Sequence, residues 1–213
     1  LIMEQNKKTI YTIGYAAHTI ESFIAALEEF TITAIADVRS QPYSKFKPEF
    51  NKENLKRTLI GYGIEYVFLG DNIGARIKAP ECYKNGQIDY ELISKHPLFQ
   101  EGVGRLLKGM EKFSIALMCA EKDPINCHRT ILICRHLKRY QLNICHILDA
   151  NTLESQSEIE LRLMKLFHLD QPDLFMQDSE RLEEAYSRQE EKIAYVAENE
   201  EDYTANHKGF NNE

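Results

Sequence analysis

The chain has 213 residues, 43% of them hydrophobic, which is enough to bury a substantial core in one domain with an appendage or in two small ones. No run approaches the roughly 18 uninterrupted apolar residues of a membrane span, and the opening LIMEQNKKT lacks the apolar stretch of a secretory signal, so no membrane partner and a cytoplasmic location are expected. The formal charge of -7 is uneven: residues 1–150 carry 20 Lys+Arg against 17 Asp+Glu, whereas residues 151–213 carry 6 against 16, so the body is slightly basic, the acid belongs to the tail, and nucleic acid is not a favoured partner.

Thr9 to Gly14 (TIYTIG) reads as a strand, and after Thr19 the positions Ile20, Phe23, Ile24 and Leu27 follow helical spacing. Ala34 to Val38 is a buried second strand; the polar loop Arg39 to Phe50 follows, and Leu55, Leu59 and Ile60 mark a second helix. Ile64 to Leu69 makes a third strand, and the Gly- and Pro-containing stretch Gly70 to Asp89 reads as a lid or an irregular excursion. Phe99 to Met110 contains a helix, Phe113 to Cys119 is the most apolar strand, a helix runs from about Cys127 to Tyr140, and Leu142 to Leu148 is the last strand. This alternation predicts an α/β fold, a mainly parallel sheet with helices on both faces in a Rossmann-like three-layer arrangement.

Beyond Asn151, the apolar positions Leu153, Ile159, Leu161, Leu163 and Leu166 predict one helix, broken by Pro172, and Leu182 to Val196 a second amphipathic one. The expected domains are residues 9–150 as the α/β body, 151–198 as a helical extension docked on it, and 199–213 as a disordered tail. The five cysteines Cys82, Cys119, Cys127, Cys134 and Cys145 are an odd number without an export signal, so reduced thiols are expected. Met3 is read as a candidate start, and Leu1 and Ile2 are left out of the argument.

Ligands of parallel sheets bind beyond the carboxyl ends of the strands, where two polar blocks lie. In the first, residues 36–50, Asp37 and Arg39 flank Val38 and point to the face opposite it. The Arg39 fork suits phosphate or carboxylate, Ser44 adds a donor and Pro42 stiffens the loop; a merely capped turn is the competing reading. The second is CAEKDPINCHR, Cys119 to Arg129. With Asn126 as N-cap, the helix start would hold an anion beside Arg129 and activate Cys127 as a nucleophile, with His128 or Glu121 as acid and base. Packing is the competing reading for Cys119 and Cys127. A metal reading of Cys119, Cys127, His128, Cys145 and His146 is weakened by spacing, because no close Cys pair or i, i+4 His pair is present; no metal and no cofactor are expected. His18, in the turn after the first strand, is a minor contributor weighed against plain solvation, and its glycine pattern does not support a dinucleotide.

The segments TIGYAAHTIESF, IADVRSQPYSKFKPEFN, GIEYVFLGDNIG and LMCAEKDPINCHR together resemble the bacterial and archaeal domain-of-unknown-function family 488 (DUF 488) over most of residues 9–150. Tyr15 stands where that family often has His. The resemblance implies an α/β domain with a polar pocket built from Asp37, Arg39, Pro42, Ser44, Cys119, Glu121, Cys127, His128 and Arg129, and implies no established activity. A looser similarity to rhodaneses lies in the early Asp-Val-Arg strand end and the late strand ending in Cys, but Asp123-Pro124 interrupts the loop that would cradle a nucleophile.

The functional expectation is an enzyme of hydrolase or transferase type acting on a phosphorylated or a nucleotide- or nucleic-acid-related substrate. Catalytic Glu121, Cys127 and His128 would work beside substrate-binding Asp37, Arg39, Pro42, Ser44, Cys119 and Arg129, the two arginines converging on one cavity. A non-catalytic anion sensor and a metal-binding Cys/His site are the alternatives; the oligomeric state is left open.

Overall fold

A computed structural model describes residues 7–197 of the protein. Its main strands are β1 (Thr9–Gly14), β2 (Ala34–Asp37), β3 (Glu65–Phe68), β6 (Ile115–Cys119), β7 (Asn143–Asp149) and β8 (Thr152–Ser155), and a separate hairpin is made of β4 (Tyr83–Lys84) and β5 (Gln87–Ile88). The six-stranded sheet has the order β3-β2-β6-β1-β7-β8, parallel throughout except for the antiparallel edge strand β8. Helices α1 (Ile20–Glu29) and α2 (Lys52–Gly61) cover one face. On the other lie α3 (Gly70–Ile73), α4 (Tyr90–Lys95), α5 (Pro97–Gly109), α6 (Arg135–Leu137), α7 (Gln156–Leu166) and α8 (Asp178–Ile193). The molecule is a three-layer α/β fold with C-terminal helices, as the sequence pattern predicts.

The two covered faces follow from strand alternation. Ile10, Ala36, Val38, Leu117 and Cys119 belong to one core cluster, and Ile13, Ile35, Ala116 and Met118 to the other. Helix α1 starts at Thr19, whose side chain accepts from Ser22 N while Ser22 Oγ accepts from Thr19 N. Its buried residues Phe23, Ile24 and Leu27 sit at helical spacing against the second cluster. Each such side chain contributes about 1.5–3 kcal/mol by leaving water.

Three local readings need correction. The residues from 153 onward do not form one helix: Thr152–Ser155 pairs with β7, because Ser155 caps α7 by accepting from Glu158 N and so ends the strand. Leu153, Leu161 and Leu166 are exposed, while Ile159 and Leu163, four residues apart, are fully buried. The excursion after β3 is partly regular: α3, a 3-10 turn at Pro80–Cys82 and the β4–β5 hairpin. The segment after Cys127 is not a plain α-helix either. A 3-10 turn (Pro124–Asn126) leads into a π-helical stretch, Arg129–Cys134, before α6.

Ile159, Leu163, Ala185 and Tyr186 of α7 and α8 share the core cluster of α5 and the π-helical stretch. After α8 the chain runs along the hairpin, with Ile88 N donating to Tyr195 O and Ala197 N to Gly86 O. The expected disorder of 199–213 falls outside the described residues. Among these, no helix is long and apolar enough to cross a membrane.

Candidate functional site

The carboxyl ends of β1, β2 and β6 lie side by side, with Gly14 in register with Cys119 and Asp37 with Met118. Gly14 is required here: a Cβ on it would meet Glu121 O at 1.8 Å. The loop leaving β6 is therefore seated directly on β1, and Ala16 N donates to Ala120 O. Asp123 caps the turn that follows by accepting from Ile125 N, so Asn126 is not the cap; its carboxamide oxygen accepts from Gln189 Nε2 of α8 instead.

This turn carries Cys127 and His128 back over the end of β6. Cys127 Sγ donates to Glu121 Oε2 at 3.0 Å and accepts from Arg129 N at 3.4 Å. His128 Nδ1 lies 3.7 Å from Cys119 Sγ and 3.9 Å from Cys127 Sγ. Its Nε2 is 3.1 Å from Val38 O. A carbonyl oxygen only accepts, so Nε2 carries a proton, and Nδ1 is the nitrogen that faces both sulfurs. Cys119, Cys127 and His128 are all buried; Glu121 is exposed as a residue with its carboxyl turned inward.

The two thiols are driven apart. Burial alone would raise Cys127, but its contacts with Cys119, Arg129 and His128 outweigh burial and hold it well below the usual thiol range. Cys119 is pushed up, first by its hydrogen bond to Cys127 and then by burial, so the pair gives up one proton readily and keeps the other. Burial and the neighbouring Cys127 raise the Glu121 carboxyl. Tyr90, which the sequence did not single out, lies in the same core cluster as both cysteines; its hydroxyl is buried without a partner and is pushed up by burial and then by Cys127.

The Arg129 guanidinium is turned to groups inside the protein. It is completely buried and donates to Thr12 Oγ1, Glu121 O and Lys122 O, which fixes the loop. Thr12 continues into a buried chain: its hydroxyl bonds His146 Nδ1 at 2.9 Å, His146 Nε2 donates to Gln156 Oε1, and Gln156 Nε2 donates to Tyr186 Oη. The loop is thereby tied to α7 and α8.

Arg39 lies on the other face of the sheet. Its Nε and Nη2 donate to the two Asp37 oxygens at 2.9 and 2.6 Å, Nη2 also to Phe50 O, and the guanidinium stacks over Tyr15 at 5.0 Å. Tyr66 Oη donates to Asp37 Oδ2 at 2.7 Å. Because Asp37 shares its face with Ile35 and Arg129 bonds Thr12, which lies on the face of Ile10, the two guanidinium groups stand on opposite faces of the sheet. Arg39 Nη1 is a buried donor without a partner. Pro42 is buried and accepts from Lys52 N; Ser44 Oγ accepts from Phe46 N and Lys47 N, stapling the loop. His18 is buried against Phe23 rather than solvated, and burial followed by Lys47 lowers its pKa. Tyr15 stacks on Phe50 at 4.6 Å, a packing role.

A cavity of about 290 Å³ opens at the edge between the two faces, lined by Tyr15, Ala16, Ser44, Phe46, Lys47, Ala120 and Glu121. Lys47 points its ammonium at the carbonyls of Tyr15, Ala16 and His18, so it braces this rim instead of offering a free cation. Glu121 belongs both to the cavity wall and to the Cys127 contact, which makes it the link between the opening and the buried thiol.

No curated protein and no solved structure matches the chain. The family model described as domain of unknown function DUF488 matches residues 19–135, a stretch that runs from the start of α1 through Asp37, Arg39, the hairpin and the whole Cys119–Arg129 block, and the chain accordingly belongs to DUF488.

Proposed function

We propose that the protein is an enzyme that works through a thiol, with Cys127 as nucleophile, His128 as its proton acceptor and Glu121 as the group that relays protons at the cavity wall. The observation that carries this reading is the His128 contact to Val38 O, because it leaves Nδ1 free to face Cys127 Sγ at 3.9 Å. In the first step the S–H proton passes to Nδ1 and the sulfur attacks an electrophilic centre held in the cavity. The leaving group takes the proton from the imidazolium, and the raised Glu121 carboxyl exchanges protons with a water that resolves the covalent intermediate.

A cavity of about 290 Å³ has room for a small substrate with a transferable group. The expected phosphorylated or nucleotide-like ligand loses most of its support, since only Arg39 Nη1 among the two guanidinium groups is without a partner. The anion-sensor alternative weakens for the same reason. Solution in the cytoplasm and reduced thiols suit this chemistry.

The test compares Cys127 with Cys134. Both are buried, at 1% and 0% exposure, so access does not separate them, whereas burial raises Cys134 and no imidazole contacts it. Iodoacetamide at pH 7, with the modified sites mapped by mass spectrometry, is expected to label Cys127 at least about tenfold faster. His128→Gln should remove the difference. Equal, slow labelling of the two cysteines in the native protein would reduce Cys127 to packing.

A further inference from the structure

Cys119 and Cys127 are separated by seven residues and lack the spacing of a zinc motif, yet the fold places Cys119 Sγ, Cys127 Sγ and His128 Nδ1 all within 4.8 Å of one another. We propose that these three atoms bind one thiophilic divalent cation, Zn²⁺ in chemical class, with the Glu121 carboxylate closing the fourth position. The inference rests on the placement of Cys127 and His128 used above and assigns that site a second, metal-held state in which the nucleophile is withheld.

The distances fit. Zn–S bonds of about 2.3 Å and Zn–N bonds of about 2.0–2.1 Å at a tetrahedral centre separate S from N by about 3.5 Å and S from S by about 3.8 Å. The observed Sγ–Nδ1 separations are 3.7 and 3.9 Å, close to that value, while the two sulfurs lie within 4.8 Å of each other and would draw together by up to about 1 Å on a bound cation. Second, the ring nitrogen that would not bind the metal already donates to Val38 O, the outer contact that orients ligating histidines. Third, Glu121 Oε2 lies 3.0 Å from Cys127 Sγ. That contact is a hydrogen bond only while one partner holds a proton; with both groups ionised it is repulsive, and a dication between them removes the repulsion.

Binding therefore exchanges two thiol protons for the cation, with no oxidation or reduction. A site with three protein ligands from the buried cluster and one carboxylate on the cavity wall can open at the carboxylate, so a substrate or a competing chelator reaches the metal from Glu121's side.

The experiment uses the full chain stripped by chelator and titrated with Co²⁺ alone, then displaced by Zn²⁺ alone. The expected result is one equivalent bound, visible d–d bands of tetrahedral cobalt, sulfur-to-cobalt charge transfer in the near ultraviolet and release of two protons. Cys119→Ser and His128→Gln should each weaken binding at least about hundredfold, while Cys145→Ser, away from the cluster, leaves it unchanged. If Cys119→Ser fails to fold, His128→Gln and the native charge-transfer signal decide the matter. Absent charge transfer, or binding that survives His128→Gln, overturns the proposal. Alkylation separates it from the enzyme reading: fast Cys127 labelling in a protein that binds no cobalt sinks the metal site alone. Cobalt binding with slow labelling of the stripped protein sinks the nucleophile alone.

Discussion

The two faces of the sheet meet at one edge with similar residues and opposite designs. On the α1–α2 face, Asp37, Arg39 and Tyr66 spend their polar groups on each other: two Arg–Asp contacts, a phenol donating to the carboxylate and a guanidinium stacked on Tyr15. On the other face, Cys119, Cys127, His128 and Glu121 meet through protons that can move. A buried charge with permanent partners holds a shape, whereas a buried proton donor beside an unprotonated ring nitrogen can do chemistry. An arginine at a strand end is thus a poor marker of a binding site until its partners are known.

Ending the chain at Ala150 should have the largest effect and act mainly on the thiol face. It removes Ile159, Leu163, Ala185 and Tyr186 from the core, of which the isoleucine and the leucine are each worth about 1.5–3 kcal/mol, a large part of a typical domain's stability of about 5–15 kcal/mol. The expected outcome is aggregation, or loss of hydrogen-exchange protection in β7 and α5 with α1 less affected. A truncated protein as soluble and heat-stable as the full chain would make the extension a separate arm.

Next in size, Asp37→Ala leaves Arg39 buried and uncompensated and is expected to cost about 3–5 kcal/mol in urea denaturation, whereas the double replacement Asp37→Leu with Arg39→Met costs much less. If Asp37→Ala were neutral, the paired-charge description of that face would fail.

A smaller effect is written in pH. His146 is fully buried between Thr12 and Gln156, and burial pushes its pKa down to about 4 from 6.5. The unfolded chain binds this proton between the two values and the folded chain does not, so stability is complete above about pH 6.5 and falls as the pH drops toward 4, by roughly 3 kcal/mol at the limit. His146→Gln should flatten this part of the stability–pH curve in chemical denaturation; an unchanged slope would show that another group carries it.

Much of this architecture is legible in the sequence. The buried runs of β1, β2 and β6 are apolar enough to be read as strands, and Thr19 announces α1. Closeness along the chain makes the grouping of Cys119, Glu121, Cys127 and His128 readable as well. The alternation around Val38 also places Asp37 and Arg39 on the face away from it. What alternation within one strand does not supply is register between strands: only the pairing of Gly14 with Cys119 and Asp37 with Met118 reveals that Arg129 belongs to the other face. Tyr66 and Tyr90 are not legible for the same reason, since the Asp37 that Tyr66 contacts and the cysteines near Tyr90 come from elements remote from them in sequence. Strand β8 is hidden because TLES has weak strand character and forms along the open edge of β7.

The central claim is that the Nε2–H of His128 is held by Val38 O, which leaves Nδ1 as the nitrogen that faces the two thiols. Nitrogen-15 NMR of the imidazole at pH 7 tests it most directly, with His128 assigned by comparison with His128→Gln. The account predicts a proton on Nε2, either in the neutral ring or in an imidazolium formed by proton transfer from Cys127. A neutral ring protonated at Nδ1 with a bare Nε2 would contradict it, since that ring could neither donate to Val38 O nor take the proton from Cys127.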